Sequence, residues 1–161
     1  MKGIVLTAAL LMTIVWAASA QHIKVVSFSE IEKNFRVQSD SIYVINFWAT
    51  WCGPCVKELP YFDQLNAVHS NEPLRVILLS LDFPSKLKST VMPFVKKKDI
   101  QSEVHVLNEK NMDAFIKRVS ETWSGAIPAT LIVNAKTGKY QFYEAELTYE
   151  QLESYYQQIK P

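Results

Sequence analysis

Apolar residues fall into two kinds of pattern along this chain. From Ile42 to Trp48 only Asn46 carries a fully polar side chain. A run that is apolar on both faces predicts a central strand covered from both sides. Leu74 to Leu81 is a second such run, and Ile23 to Val26 and Val104 to Leu107 are shorter strand candidates. Elsewhere the apolar positions recur every three or four residues, which predicts helices. Ile31 and Phe35 follow a capping box read at Ser29-x-x-Glu32. Phe62, Leu65 and Val68 continue a face past Pro60, so the proline is read as a kink within a helix rather than its end. Leu87, Val91, Phe94 and Val95 form the next face, with Ser85 as its cap and Pro93 as a source of distortion. Met112, Phe115, Ile116, Val119 and Trp123 form a stripe of the kind that packs into a core. Thr148-x-x-Gln151 opens a last helix with Leu152, Tyr155, Tyr156 and Ile159 on its buried side.

Strands alternating with helices from Ile42 to Trp123 predict βαβ units and a parallel sheet. Leu131–Val133 and Tyr140–Tyr143 flank a turn at Asn134–Gly138, where Gly138 can take positive φ, and these two arms predict a closing hairpin. The expected fold class is therefore α/β, with a central mixed β-sheet flanked by helices.

Length and charge narrow the possibilities. At 161 residues and 48% apolar content, one well-packed domain is expected. Basic and acidic residues nearly balance, 17 against 16, and no basic stripe suggests nucleic acid. Lys96-Lys97-Lys98 reads as solvated surface at a helix end, where cations suit the dipole. The first twenty residues stand apart: Lys2, an apolar stretch from Ile4 to Ala17, then Ala18-Ser19-Ala20. That order predicts a secretory signal at residues 1–20, cleaved before Gln21, and a domain over residues 21–161. A retained membrane anchor is the rival reading of the same stretch. Without Lys2 the chain has 16 basic and 16 acidic residues. Export bears on chemistry, because a dithiol outside the cytosol must be kept reduced by a dedicated donor if it is to reduce anything.

The chain has two cysteines, in Trp51-Cys52-Gly53-Pro54-Cys55. If a helix begins at Cys52, the two sulfurs lie on one face and within bonding range. A disulfide there closes a tiny loop and stabilises little, so an inert structural bridge is the weaker reading and a reacting one the stronger. The helix start would hold Cys52 as thiolate, making it the nucleophile, with Cys55 one turn in as the resolving thiol. Pro54 suits a first-turn position and Gly53 leaves the approach to Cys52 unobstructed. A zinc site would need more ligands than one cysteine pair, and His22, His69 and His105 lack ligand spacing. Haem attachment would need histidine where Val56 stands. No metal or organic cofactor is therefore expected beyond the Cys52–Cys55 disulfide itself.

Phe47-Trp48-Ala49-Thr50-Trp51-Cys52-Gly53-Pro54-Cys55 resembles the active-site segment of the thioredoxin superfamily. Cys55-Val56-Lys57-Glu58-Leu59-Pro60 resembles its extracytoplasmic TlpA/ResA-like branch. The resemblance implies a thioredoxin-like fold, with parts of Pro84 to Glu121 forming an extra helix-and-strand insertion. It implies that Pro128 is cis and lies against the cysteines, with Ile127 offering its backbone to an extended substrate segment. Trp51 would border the same groove. In thioredoxins an aspartate at the place of Asn46 handles the resolving cysteine's proton; an amide does not titrate, so Asn46 cannot. Glu58, three residues after Cys55, is the expected replacement, the bland reading being a solvated glutamate beside Lys57.

The function this implies is a periplasmic or secreted thiol–disulfide oxidoreductase. It would be a monomer acting on protein disulfides and dithiols, with a membrane or extracytoplasmic electron donor. Gly53-Pro54 matches the reducing thioredoxins, which favours net reduction. A disulfide oxidase or isomerase, and a non-catalytic binding module, are the alternatives. A role in cytochrome c maturation is one that the TlpA-like branch allows.

Overall fold

The structure, a computed structural model, describes residues 22–160. The leader read at residues 1–20 lies outside the described residues. In chain order the elements are β1 (Lys24–Val26), α1 (Phe28–Arg36), β2 (Ile42–Trp48), α2 (Gly53–Val68), β3 (Leu74–Ser80), α3 (Met92–Lys98), β4 (Glu103–Leu107), α4 (Met112–Val119), β5 (Ala129–Asn134), β6 (Tyr140–Tyr143) and α5 (Tyr149–Ile159).

Every residue of β2 is buried, as its unbroken apolar run requires. It lies inside a six-stranded sheet of order β1-β4-β3-β2-β5-β6. β2 runs parallel to β3, from Ile42 opposite Leu74 to Trp48 opposite Ser80, and antiparallel to β5. The β5–β6 hairpin makes the sheet mixed. Between β3 and β5 lie α3, α4 and strand β4, which slots between β3 and β1.

Alternate side chains of the sheet feed two cores. On one face Val44, Leu78 and Ile132 meet Leu59, Phe62 and Leu65 of α2 and Leu152 and Tyr156 of α5. On the other, Ile45, Phe47 and Leu131 meet Phe28 and Ile31 of α1 and Phe115 of α4. Full burial of each such side chain contributes about 1.5–3 kcal/mol, so the sheet's position between the helices is fixed by many small terms.

Three local expectations need correction. The cap of α1 is Ser27, two residues before the one read from sequence. The Glu30 carboxylate accepts from the Ser27 amide at 2.7 Å and from its hydroxyl at 2.9 Å. Glu32 is instead buried and accepts from Arg36 and Arg118, tying α1 to α4. The stretch after Pro84 is not one helix capped by Ser85. A 3₁₀ turn (Pro84–Lys86) and a π turn (Leu87–Val91) precede α3. The physical reason is Pro93, which has no N–H to give; just before it the Met92 amide reaches five residues back, to the Leu87 carbonyl. Lastly, α4 ends at Val119, and Trp123 lies beyond it, buried in the same core as Phe115.

Pro60 sits inside α2, and the helix continues to Val68. α5 packs along it and is pinned at both ends. Near its start Lys57 pairs with Glu146 at 2.5 Å. Near its end His69 lies between Glu72 (2.6 Å) and Glu153 (2.8 Å). Tyr156 donates its hydroxyl to Glu72, and Lys160 pairs with the same carboxylate.

Candidate active site

Cys52 is the N-cap of α2, with extended backbone. Its amide donates to the Ala49 carbonyl at 3.1 Å, and its own carbonyl accepts the first helical bond, from Val56 at 3.0 Å. Its sulfur takes the place of a capping oxygen and accepts from the Cys55 N–H at 3.3 Å. A group held there meets unpaired helix donors and the positive end of the dipole, which favours an anion.

Cys52 and Cys55 are joined as a disulfide, with Cα atoms 5.3 Å apart. Cys55 is fully buried, whereas Cys52 keeps 7% of its surface. Next to it Trp51 is 70% exposed, and Gly53 and Pro54 are exposed too. A methyl group built on Gly53 would meet no atom of the described residues within 4 Å, so among them the space over it is open.

The turn before Cys52 is held by Asp82, just past β3. Its carboxylate accepts from the Thr50 amide (2.8 Å), the Thr50 hydroxyl (2.7 Å) and the Ser80 hydroxyl (2.8 Å). Opposite, the Ile127–Pro128 bond is cis, and the Ile127 carbonyl oxygen lies 3.7 Å from the Cys52 sulfur. The loop leading there is shaped by three groups. Gly125 has φ +94, and a Cβ on it would come within 2.9 Å of Ile116. The Trp123 indole donates to the Ala126 carbonyl at 2.8 Å. Glu144 accepts from the Ser124 and Ala126 amides, at 3.0 and 3.2 Å, and from the Ser124 hydroxyl.

Glu58 is fully buried one turn beyond Cys55, not solvated beside Lys57, which points outward to Glu146. Its two oxygens accept from the Asn46 amide nitrogen and from the Leu147 backbone N–H, both at 2.7 Å. Burial pushes its pKa up to about 7, helped by the negative charge of Glu146, and the two hydrogen bonds only partly offset this. A buried carboxyl that changes charge near neutral pH suits proton transfer.

Of the positions named from sequence, Cys52 is bonded to Cys55 and lies 3.7 Å from the carbonyl of Ile127, whose bond to Pro128 is cis; Glu58 is buried one turn beyond Cys55, and Trp51 is exposed beside Cys52. Asp82, Glu144 and Leu147 were not singled out. Asp82 and Glu144 have only a charge next to a loop as signal, and Leu147 acts through its backbone, which carries none. A cavity of about 530 Å³ lies elsewhere, on the α1/α4 face, lined by Glu32, Arg36, Arg118 and Leu131 but by neither cysteine. The chemistry of the dithiol places the site at the open rim over Cys52 instead. Among the described residues, no cluster of three or more histidine, cysteine or acidic side chains could hold a metal.

A model of the AhpC/TSA family matches residues 15–139. The chain belongs to the AhpC/TSA family. Within this thioredoxin-like family it is similar to a thiol-disulfide oxidoreductase ResA of Bacillus cereus, 31% identical over 73% of the chain and 62% of that protein. It is similar also to ResA of Bacillus thuringiensis subsp. konkukian, 34% identical with the same coverage. The chain thus spans about 62% of the length of these curated relatives. Among solved structures, it resembles a thioredoxin-family thiol:disulfide interchange protein from Chlorobium tepidum TLS. The TM-score is 0.65 at 16% identity, over 81% of this chain and 85% of that one. The AhpC/TSA chain described here therefore has the thioredoxin-type fold that its active-site segment resembles.

Proposed function

We propose that the protein is an extracytoplasmic thiol–disulfide oxidoreductase that reduces protein disulfides through Cys52 and Cys55. The observation that carries this is Cys52 at the helix start, rimmed by open space, with Cys55 buried behind it and Ile127–Pro128 across from it. The names of the ResA relatives support the reaction class, and the leader read at residues 1–20 supports the location.

In the reduced protein the Cys52 thiolate attacks one sulfur of a substrate disulfide. A Cys52–substrate bond forms, and the other substrate sulfur leaves as thiolate. Cys55 then loses its proton to Glu58 and attacks Cys52. The internal disulfide forms, and the substrate leaves with both electrons. Trp51 and the Ile127 backbone hold the substrate segment across Cys52, as in strand addition. No metal or organic cofactor enters these steps. An electron donor outside the cytosol returns the pair to the dithiol.

The test is a pair of variants. Cys52→Ser abolishes reduction of a protein disulfide, and Cys55→Ser accumulates mixed disulfides that release their partners on treatment with dithiothreitol. Full reductase activity in Cys52→Ser overturns the assignment.

A further inference from the structure

Asn46 lies at the junction of three elements. It sits on β2, opposite Thr130 of β5, and faces Glu58 of α2. Its Nδ2 donates to Glu58 Oε1 at 2.7 Å, and the Thr130 hydroxyl and Ala129 carbonyl are also in range, at 3.2 and 3.4 Å. Its Oδ1 is buried with no hydrogen-bond partner among the described residues. An unpaired buried acceptor is costly, about 1–3 kcal/mol, and uncommon enough to need a reason.

Glu58 supplies one. Both of its oxygens face N–H donors, Asn46 Nδ2 and the Leu147 amide. That arrangement suits a carboxylate. Once Glu58 has taken a proton its O–H needs an acceptor, and the nearest groups offer it two hydrogens instead. The missing acceptor is the other end of the same carboxamide. A half-turn about χ2 brings Oδ1 to face Glu58 Oε1 and lets the Thr130 hydroxyl donate to Oδ1 as well. An aspartate in this place would set a second negative charge against Glu58; a leucine would serve neither form.

We infer that Asn46 is a positioning residue that serves both protonation states of Glu58, donating Nδ2–H to the carboxylate and, after turning over, accepting the O–H of the acid through Oδ1. This rests on the proposed role of Glu58 as acceptor of the Cys55 proton. The cycle balances: the S–H bond of Cys55 breaks, an O–H bond forms on Glu58, the amide turns over, and the reverse occurs when Glu58 releases the proton. The other charged groups near Glu58 are Glu146, from the segment before α5, and Lys57 of α2, which pairs with Glu146. Cys55, one turn earlier on α2, is the thiol whose proton is moved.

The experiment uses the wild-type protein first. In the reduced form, Glu58 is titrated by carboxyl ¹³C NMR while nuclear Overhauser contacts are followed from the Asn46 Nδ2 protons to the Thr130 side chain. The contacts are expected above the Glu58 midpoint and lost below it, with the same midpoint. Contacts that persist unchanged on both sides overturn the inference without any variant having to fold. The second arm is kinetic. Asn46→Leu should slow resolution of a preformed mixed disulfide by about tenfold or more, a fraction of what general acid–base assistance supplies. Capture by Cys52, measured in a Cys55→Ser background, should be unchanged. Asn46→Leu resolving at the wild-type rate, while Glu58→Gln is slow, overturns the role of Asn46 alone. If Glu58→Gln itself keeps the wild-type rate and pH profile, the role of Glu58 falls, and the inference with it.

Discussion

Replacing Glu58 with glutamine should change how stability depends on pH, and the size follows from its surroundings. Glu58 is fully buried, and its folded-state pKa is raised from 4.5 to about 7. A carboxyl with a raised folded-state pKa binds its proton more tightly in the native state than in the unfolded chain. The native state therefore gains nothing from rising pH: below 4.5 both states are protonated, between 4.5 and 7 folding must hold a proton that the unfolded chain releases, and above 7 the native state carries an unfavourable buried charge. Stability is lost as pH rises through this window. A difference of 7 against 4.5 corresponds to about 3 kcal/mol at 1.36 kcal/mol per pH unit. Glutamine carries no charge at any pH, and with Asn46 turned over it can still be hydrogen-bonded on both sides. The assay is urea unfolding of the oxidised wild-type and Glu58→Gln proteins from about pH 4.5 to 8.5, where the disulfide-bonded cysteines do not titrate. His69 is present in both proteins, so its own titration cancels in the difference. The stability of wild type relative to the variant should fall by about 3 kcal/mol across the range, most steeply near pH 6. Two parallel curves would refute the reasoning, because Glu58 would then have the same pKa folded and unfolded.

Two further outcomes follow from the supports of the site. Burial opposes charge on His69, yet the hydrogen bonds that it donates to Glu153 and Glu72 outweigh it and hold its pKa above the ordinary value. The stabilisation is therefore complete below the unfolded value near 6.5 and is lost as pH rises through the folded one. His69→Gln should lower Tm clearly at about pH 5.5 and much less at about pH 9, and an equal loss at both would remove the ion pairs from the account. Asp82 accepts three hydrogen bonds, two of them from Thr50. Asp82→Ala leaves a half-buried amide and two hydroxyls short of a partner, so urea unfolding should show a loss of roughly 2–4 kcal/mol. The alkylation rate of Cys52 by iodoacetamide in the reduced protein should change as well. An unchanged rate would mean that the turn before Cys52 holds without Asp82.

Much of this arrangement was legible because local pattern and tertiary environment agree. The double-sided apolar run at Ile42–Trp48 could only be an inner strand, and Thr148-x-x-Gln151 does cap α5. The helix start supposed at Cys52 is where α2 begins, and the apolar positions past Pro60 continue in α2 beyond it. The errors came where two local solutions compete. Ser27/Glu30 and Ser29/Glu32 both fit a capping box, and what separates them is Arg118, 86 residues from Glu32, which claims the second glutamate. Likewise Pro93 announced a distortion, but whether the chain answers with a break or a widened turn depends on its neighbours. The burial of Glu58 was the hardest feature to read. Next to Lys57 it looks like a surface residue, and what buries it includes a loop 89 positions later.

That distance orders events in time as well as in space. Cys52 lies 75 positions ahead of the Ile127 carbonyl that faces it, and Glu58 lies 89 ahead of the Leu147 amide that completes its shell. A nascent chain emerging from its N-terminal end therefore displays both cysteines long before Glu58 is enclosed. The proposed proton acceptor is in place only once the segment ahead of α5 has docked over Glu58.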